Sequence, residues 1–214
     1  MKSENNSFIN PLIEWFESNK RDFSWRRPGL SPFQLLMAEI MLQKTGANQV
    51  ENLFTEFIKK YPDASSILSM KDEELEEFLH PLGLFKRRAR DIKKTAQLIL
   101  EKDNVVPNTR KELMELPGVG NYIANAVLCF AFKKPVPIVD ANVGRVMRRF
   151  FSFPVKSAPS RDKSLLERMG EILPEKKARD FNLALLDFAA LVCLPRKPRC
   201  DECPISGSCD YFLK

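Results

Sequence analysis

The chain has 214 residues, of which 44% are hydrophobic and 29% are charged, and its basic residues outnumber its acidic ones by enough to give a formal net charge of +6. This composition is typical of one large or two small globular domains and excludes disordered and collagen-like chains. No apolar run approaches the roughly 18 residues of a membrane span, and the polar N-terminal stretch does not look like a secretory signal. We therefore expect a cytosolic protein with no membrane partner, and the basic excess favours a polyanionic one.

Apolar residues recur at steps of three and four along most of the chain, which predicts an almost entirely helical protein. Ser31-Pro32 marks one helix start, because Ser is a favoured N-cap and Pro a favoured first residue. The predicted helices cover, in chain order, 8–16, 32–41, 50–58, 66–70, 72–79, 87–102, 110–115, 122–132, 141–151, 163–172 and 180–193. Residues 136–140 are interpreted as a connector. We expect 27–137 to form one bundle, and 1–26 to join 138–214 in a second lobe.

Charge is unevenly distributed within this helical pattern. The stretch 86–94, KRRARDIKK, carries six basic residues against a single acidic one. A run of this kind is equally typical of a solvated helix face and of a surface that binds nucleic acid.

Four of the five cysteines fall in the last 22 residues, at Cys193, Cys200, Cys203 and Cys209. Disulfides are disfavoured in the cytosol, and four clustered thiolates suit either a zinc ion or an iron–sulfur cluster. The six-residue gap after Cys193 is wider than in paired zinc knuckles and favours the cluster. The fifth, Cys129, lies in an apolar helical stretch and is interpreted as a core residue.

A glycine hairpin joins two predicted helices at Leu116-Pro117-Gly118-Val119-Gly120. Glycines permit a tight turn with unpaired amides, and the helix N-terminus that follows adds a favourable dipole for phosphate. Many helix–helix turns look similar, but the basic chain and the VDANVGRVMRR segment that follows favour contact with a DNA backbone.

Two carboxylates are candidate catalytic groups. Asp140 ends an apolar connector at the N-cap position of a helix, where Asp needs no further reason to occur, yet it could also face a cationic sugar transition state. Glu39 lies within the apolar segment LLMAEIML. It is either a surface residue of an amphipathic helix or a buried carboxyl whose raised pKa lets it donate a proton.

The segments LPGVGNYIANAVLCFAF, VDANVGRVMRRFF and CLPRKPRCDECPISGSC together resemble the helix-hairpin-helix DNA glycosylases, relatives of endonuclease III and of the adenine glycosylase. The resemblance runs from residue 21 to Cys209. It implies a two-lobed all-α fold, with a six-helix barrel at 27–137 that contains the hairpin motif at about 113–132. It also implies a [4Fe–4S] cluster held by the four cysteines of the loop 193–209.

The resemblance also implies roles for individual residues. Asp140 matches the aspartate that stabilises the oxocarbenium-like sugar, and Glu39 matches the carboxylate that protonates the departing base in the adenine-excising branch. Tyr122 stands where endonuclease III-like members have a nucleophilic lysine, which implies a monofunctional enzyme that leaves an abasic site. Expected DNA contacts come from Gln43, which fills the gap left by the flipped nucleotide, and from Leu116, Gly118, Val119, Gly120, Asn142, Arg196, Lys197 and Arg199.

The target base follows from smaller differences within the family. LQKT at 42–45, GLFKRRA at 83–89 and VDAN at 139–142 depart from the adenine branch, and we expect no oxidised-guanine recognition domain after Cys209. These features favour excision of T or U opposite G in double-stranded DNA, by a monomer acting on the nucleoid. An adenine glycosylase without that C-terminal domain is one alternative. A catalytically inactive iron–sulfur DNA-binding protein is another.

Overall fold

The computed structural model describes the backbone of residues 2–214 and the side chains from Ser7 onward. Its α-helices are α1 (Lys2–Asn19), α2 (Pro32–Met41), α3 (Ala47–Lys60), α4 (Ala64–Leu68), α5 (Asp72–Leu79), α6 (Phe85–Leu100), α7 (Arg110–Met114), α8 (Asn121–Phe130), α9 (Ala141–Phe151), α10 (Lys163–Ile172), α11 (Ala178–Leu191) and α12 (Asp210–Leu213). The described residues contain no β-strand, so the predicted all-α class is confirmed. None of the described helices combines the length and the apolar character needed to cross a bilayer.

Local sequence fixes where several helices begin. The Ser31 hydroxyl accepts a hydrogen bond from Gln34 N at 3.2 Å, and the Gln34 side chain accepts one from Ser31 N at 3.0 Å. This reciprocal capping box satisfies two amide groups that the first turn leaves without partners, and so α2 begins at Pro32 as predicted. The predicted bounds of α9 and α10 also match the observed ones. The short helix α12 was not predicted.

The chain divides into two compact units, one formed by Asp22–Phe132 and the other by the residues up to Arg21 together with Lys133–Lys214. In the first unit, α2 packs against α8, and α6 packs against α4 and α5. Phe54 and Phe57 of α3 are completely buried in its core.

In the second unit, α1 and α9 both pack against α11. Phe8 of α1 anchors this contact, with its ring centroid 4.7 Å from that of Phe150 and 6.1 Å from that of Phe181. Asp187 of α11 is fully buried and accepts a hydrogen bond from Arg21 Nε at 2.6 Å, so its charge is paired. The N-terminal helix therefore belongs to the same core as the C-terminal helices.

A close packing contact in this unit predicts a stability effect. A Cβ added at Gly144 of α9 would lie 2.8 Å from Pro159 Cγ and 3.0 Å from Pro159 Cβ. Because Gly144 is buried and the proline ring is rigid, we expect Gly144→Ala to lower the free energy of unfolding by about 1–3 kcal/mol, measured by urea denaturation. Gly170 of α10 is the matched control, since nothing lies within 4 Å of its added Cβ. Gly170→Ala should leave stability unchanged or raise it by about 0.5–1 kcal/mol.

Candidate functional site

The glycine hairpin joins α7 to α8 as a tight turn. Gly118 has φ +76°, so the position favours glycine for its backbone angle, and a Cβ there would make a tight 3.3 Å contact with Asp91 Oδ2. Val119 N donates to Leu116 O at 3.1 Å. Among the described residues, no protein group accepts a hydrogen bond from the amides of Gly118 or Gly120. Two free amides beside the N-terminus of α8 can bind a phosphate oxygen.

The side chains around the hairpin do not all face outward. Leu116 and Val119 are buried, at 4% and 7% exposure, so a contact from either to DNA would come from its backbone. Gln43, two residues beyond α2, donates its side-chain amide to Gly118 O. The structure thus places the Gln43 side chain in contact with the hairpin.

Glu39 lies on the buried face of α2 and is 5% exposed. Burial raises the pKa of Glu39 to about 7, and the positive charge of Arg26 opposes part of that rise. Within the described part of the chain, Glu39 Oε2 has no hydrogen-bond partner. A carboxyl group in this environment holds a proton near neutral pH and has a free oxygen with which to deliver it.

Tyr122 is the second residue of α8, directly after the hairpin, and is partly buried. Because α2 packs against α8, the helices that carry Glu39 and Tyr122 lie side by side. A phenol at this position has no amine with which to form a Schiff base.

Asp140 caps α9 with both of its carboxylate oxygens engaged. Its Oδ1 accepts from Asn142 N at 2.9 Å and from Val143 N at 2.8 Å, and its Oδ2 accepts from Asn142 Nδ2 at 2.6 Å. The side chain remains partly exposed. The capping role and a catalytic role are therefore compatible, since three hydrogen bonds fix the carboxylate in one orientation while it can still be reached.

A chain of hydrogen bonds continues from Asp140 along α9 to the cysteine loop. Arg145 NH1 donates to Asn142 Oδ1 at 3.0 Å, while its Nε donates to Cys193 O at 2.9 Å and its NH2 to Ala189 O at 2.8 Å. The backbone at the first cysteine is thus tied to the side chain that orients Asp140. The spacing of Asn142 and Arg145, three residues apart, is the sequence signal for this link, because such residues share one helix face.

The four cysteines of the loop line one largely apolar cavity, together with residues of α9, α11 and α12. Burial raises the pKa of the Cys203 thiol to about 11. Burial also raises the pKa of Cys200, and the neighbouring Cys209 and Cys193 raise it further. Thiolates gathered in this cavity therefore need a positively charged group between them, and four sulfur donors are the set that holds a cubane iron–sulfur cluster.

Arg149 of α9 stands beside this cavity. Its NH1 donates to Cys193 Sγ at 3.4 Å and to Leu194 O at 2.7 Å, and its guanidinium lies 4.9 Å from the centre of the Tyr211 ring. Such N–H···S contacts stabilise ligating thiolates. Across the described residues, no group of three or more His, Cys, Asp or Glu side chains is arranged to hold a single metal ion. The four thiols that line one cavity, with an N–H donor beside Cys193 Sγ, are a donor set that fits an iron–sulfur cluster.

The remaining predicted DNA contacts lie in the same loop. Arg196, Lys197 and Arg199 are all exposed, between the first and second cysteines. Arg199 NH1 lies 3.7 Å from Glu202 Oε2, and the backbone N of Arg199 donates to Val192 O at 2.9 Å. The loop therefore presents its cations to solvent while its backbone is anchored on the end of α11.

Sequence reasoning missed one basic residue. Within the run 86–94, Arg87 and Arg90 have side chains 67% and 74% exposed, as on a solvated face, but Arg88 is only 4% exposed. The available signal was its register, because Arg88 lies four residues before the buried Ile92 on the same helix face. The interpretation of the whole run as one surface is therefore wrong at this position.

Comparison with known proteins agrees with this geometry. Residues 37–172 match the family model described as the HhH-GPD superfamily base excision DNA repair protein, and residues 193–209 match the iron–sulfur binding domain of endonuclease III. The chain is 36% identical over 208 residues to a thymine/uracil-DNA glycosylase of Methanothermobacter thermautotrophicus, with 97% of this chain and 94% of the relative covered. It is 38% identical over 196 residues to an adenine DNA glycosylase of Mycolicibacterium smegmatis, with 91% of this chain and 66% of the relative covered. The solved structure of a thermostable thymine-DNA glycosylase superposes with a TM-score of 0.93 at 35% identity, covering 99% of this chain and 98% of that one.

An all-α fold with this hairpin and this cysteine loop defines an iron–sulfur DNA glycosylase, an enzyme that acts on DNA and cleaves N-glycosidic bonds. The chain belongs to the HhH-GPD superfamily of base excision DNA repair proteins. The matched iron–sulfur domain begins at Cys193 and ends at Cys209, so the [4Fe–4S] cofactor inferred from the sequence is confirmed.

The buried carboxyl of Glu39 predicts a pH-dependent stability. Its folded pKa of about 7 exceeds the ordinary 4.5, so the stabilisation it gives is complete below pH 4.5 and is lost as the pH rises towards 7. We expect the stability of the native chain relative to Glu39→Gln to fall by about 2 kcal/mol between pH 5.5 and pH 8, measured by urea unfolding. The exposed Glu56 of α3 supplies the control, Glu56→Gln. Equal slopes for the native chain and Glu39→Gln would show that Glu39 does not titrate in this range.

Proposed function

We propose that the protein is a monofunctional DNA glycosylase that removes thymine or uracil opposite guanine and leaves an intact abasic site. The observation that carries this proposal is the likeness to thymine/uracil-DNA glycosylases along nearly the whole length of both chains. Tyr122 supports the monofunctional part, because the strand-cleaving reaction needs an amine at the sugar. We further propose that it acts as a monomer on chromosomal DNA in the cytoplasm.

In this proposal the hairpin holds the DNA backbone. The free amides of Gly118 and Gly120 bind a phosphate oxygen, and Arg196, Lys197 and Arg199 add electrostatic attraction. Gln43, held against Gly118 O, occupies the space in the duplex from which the target nucleotide is flipped. Phosphate contacts of this kind position the duplex, and the occupied gap keeps the base extruded.

The chemistry is assigned to two carboxyl groups. Asp140, oriented by the amides of Asn142 and Val143, stabilises the positive charge that develops on the sugar as the N-glycosidic bond breaks. Glu39, which holds its proton near neutral pH, gives that proton to the departing base. Water then adds to the sugar and releases a proton to solvent, from which Glu39 is protonated again, because Tyr122 offers no amine that could form a Schiff base instead.

The cysteines Cys193, Cys200, Cys203 and Cys209 are proposed as the cluster ligands. The bound cluster supplies a cationic core that orders the loop, and Arg145 and Arg149 fasten the loop to α9 through Cys193. Asp140 caps the same helix, so an ordered loop also supports the orientation of the proposed catalytic carboxylate.

A second candidate is excision of adenine. It is favoured by the identity to an adenine DNA glycosylase and by the protonated state of Glu39, because a purine leaves readily only once it is protonated. The chain spans about two thirds of that relative's length, and the two candidates differ in the base that is removed.

A single-turnover excision panel tests the proposal. Duplexes with G·T, G·U, A opposite oxidised G, A·G and A·C would be incubated with excess enzyme and analysed with and without alkali. We expect strand breaks at G·T and G·U that appear only after alkali treatment, because Tyr122 leaves the abasic site uncleaved. Breaks at the adenine duplexes would support the second candidate. Breaks without alkali, or trapping on abasic DNA with borohydride, would contradict monofunctional action.

Asp140→Asn tests the assigned role of that carboxylate. Asn is an equally good N-cap, so α9 and the loop that it anchors should stay in place. We expect excision at G·T to fall by at least about 10²-fold, because the charge facing the sugar is lost. Affinity for a duplex with a tetrahydrofuran abasic site, and the thermal midpoint, serve as controls and should change little. Unimpaired excision would remove Asp140 from the mechanism.

A further inference from the structure

Arg88 is a buried arginine that joins three segments of the chain. It is 4% exposed. Its Nε donates to Ile40 O at 3.4 Å, its NH1 to Leu82 O at 3.2 Å and to Gly83 O, and its NH2 to Gln43 O at 2.8 Å and to Thr45 Oγ1 at 2.9 Å. One guanidinium thus fastens the C-terminal end of α2, the loop after it, and the turn that precedes α6.

The acceptors around Arg88 are neutral. Within the described part of the chain, no carboxylate lies within ion-pair distance of its guanidinium. The charge is stabilised by backbone carbonyls at the end of α2, where the helix dipole is negative, and by the Thr45 hydroxyl. Burying an arginine without an acidic partner destabilises the folded state, so packing alone does not explain the position of Arg88.

Both loops that Arg88 holds contain a strained residue. Lys44 has φ +52° and Leu84 has φ +50°, the left-handed region that non-glycine residues rarely adopt. This conformation is strained for a residue with a Cβ and persists only where surrounding contacts enforce it. Leu84 is 55% exposed, although a leucine gains stability from burial. The buried guanidinium of Arg88 holds the backbone next to each strained residue, at Gln43 and at Gly83, while the side chains of Lys44 and Leu84 are exposed.

Lys44 and Leu84 share one concave surface with Gln43, Arg87, Arg88 and Asp91. Gln43 also reaches the hairpin through Gly118 O. Thr45 adds a direct link between the two loops, because its hydroxyl donates to Leu82 O at 2.9 Å. Arg88 is the residue that contacts the backbone of both loops at once.

We propose that Arg88 is a positioning residue for base extrusion: by fastening the loops at 43–45 and 82–84 it holds Gln43 and Leu84 in the arrangement that enters the duplex. This inference rests on the proposed role of Gln43. Arg88 touches neither the substrate nor the reacting atoms. Its contribution is to pre-form a surface that would otherwise have to be ordered, at an entropic cost, each time DNA binds.

Arg88→Lys is the primary test, because an ammonium group cannot reach acceptors on both loops in the way that a planar guanidinium does. Two quantities would be measured on a G·T duplex: the single-turnover excision rate at saturating enzyme, and the fluorescence of 2-aminopurine next to the target, which reports unstacking. We expect Arg88→Lys to lower the excision rate by about 10- to 10²-fold and to reduce the increase in 2-aminopurine fluorescence. The matched control is Arg90→Lys on the same helix, since the Arg90 side chain is 74% exposed.

Chemical rescue separates positioning from a merely structural role. Arg88→Ala leaves space for a guanidinium ion, so guanidinium chloride at tens of millimolar should restore the fluorescence increase, whereas sodium chloride at equal ionic strength should not. A variant that is only less stable would show a lower active fraction with the native rate, and that outcome would overturn the proposal.

If Arg88→Ala does not fold, Thr45→Val, which removes one acceptor and the link to Leu82, should give a smaller loss of the same kind. Rates and fluorescence within about twofold of native for both Arg88→Lys and Thr45→Val would also overturn it.

A duplex with a tetrahydrofuran abasic site distinguishes this proposal from the proposed target. That duplex contains no base to excise, so 2-aminopurine beside the gap reports insertion by the protein whichever base is the natural target. If the native chain excises neither T nor U, the target assignment fails, and the abasic duplex still tests Arg88. If the native chain inserts into the abasic duplex and Arg88→Lys does so equally well, the positioning proposal fails alone.

Discussion

The arrangement of the second unit depends on the N-cap of helix α9. Asp140 accepts three hydrogen bonds from the first turn of that helix, which fixes the helix start and the carboxylate together. One turn later, Arg145 reaches back to Asn142 and across to Cys193 O, and Arg149 reaches Cys193 Sγ. One helix, α9, thus carries the capping hydrogen bonds, anchors the cysteine loop and orients the proposed catalytic group.

The first unit uses a different device, the burial of charged groups without a paired opposite charge. Glu39 avoids the cost of burial by holding a proton, so the group that is expensive as an anion becomes useful as an acid. Arg88 cannot lose its proton at ordinary pH and is stabilised by carbonyl oxygens of the loops it fastens. In both cases a buried group that lowers the free energy of unfolding lies where the proposed chemistry or DNA contact takes place, as expected for functional sites.

Sequence reasoning succeeded where the cause of a structure is local. Ser31-Pro32 predicted the start of α2 because capping depends on neighbouring residues, and Asp140 predicted that of α9 for the same reason. The cysteine spacing favoured an iron–sulfur cluster over zinc, and the resemblance to the helix-hairpin-helix DNA glycosylases implied the [4Fe–4S] cofactor that the matched iron–sulfur domain confirms. Sequence reasoning failed for Arg88, because the pattern of a basic run on an amphipathic helix did not show that this member is buried. It also failed for α12, which is only four residues long.

The sequence by itself determined the all-α class, most helix positions, the hairpin, and the residue types available for catalysis and cluster binding, because these follow from periodicity, capping and spacing. Only the tertiary structure decided which of those residues are buried and what they touch. It placed Glu39 where its pKa rises, joined Gln43 to Gly118, and linked Asn142 to Cys193 through Arg145. These facts depend on contacts between residues up to 75 positions apart, which no local pattern encodes.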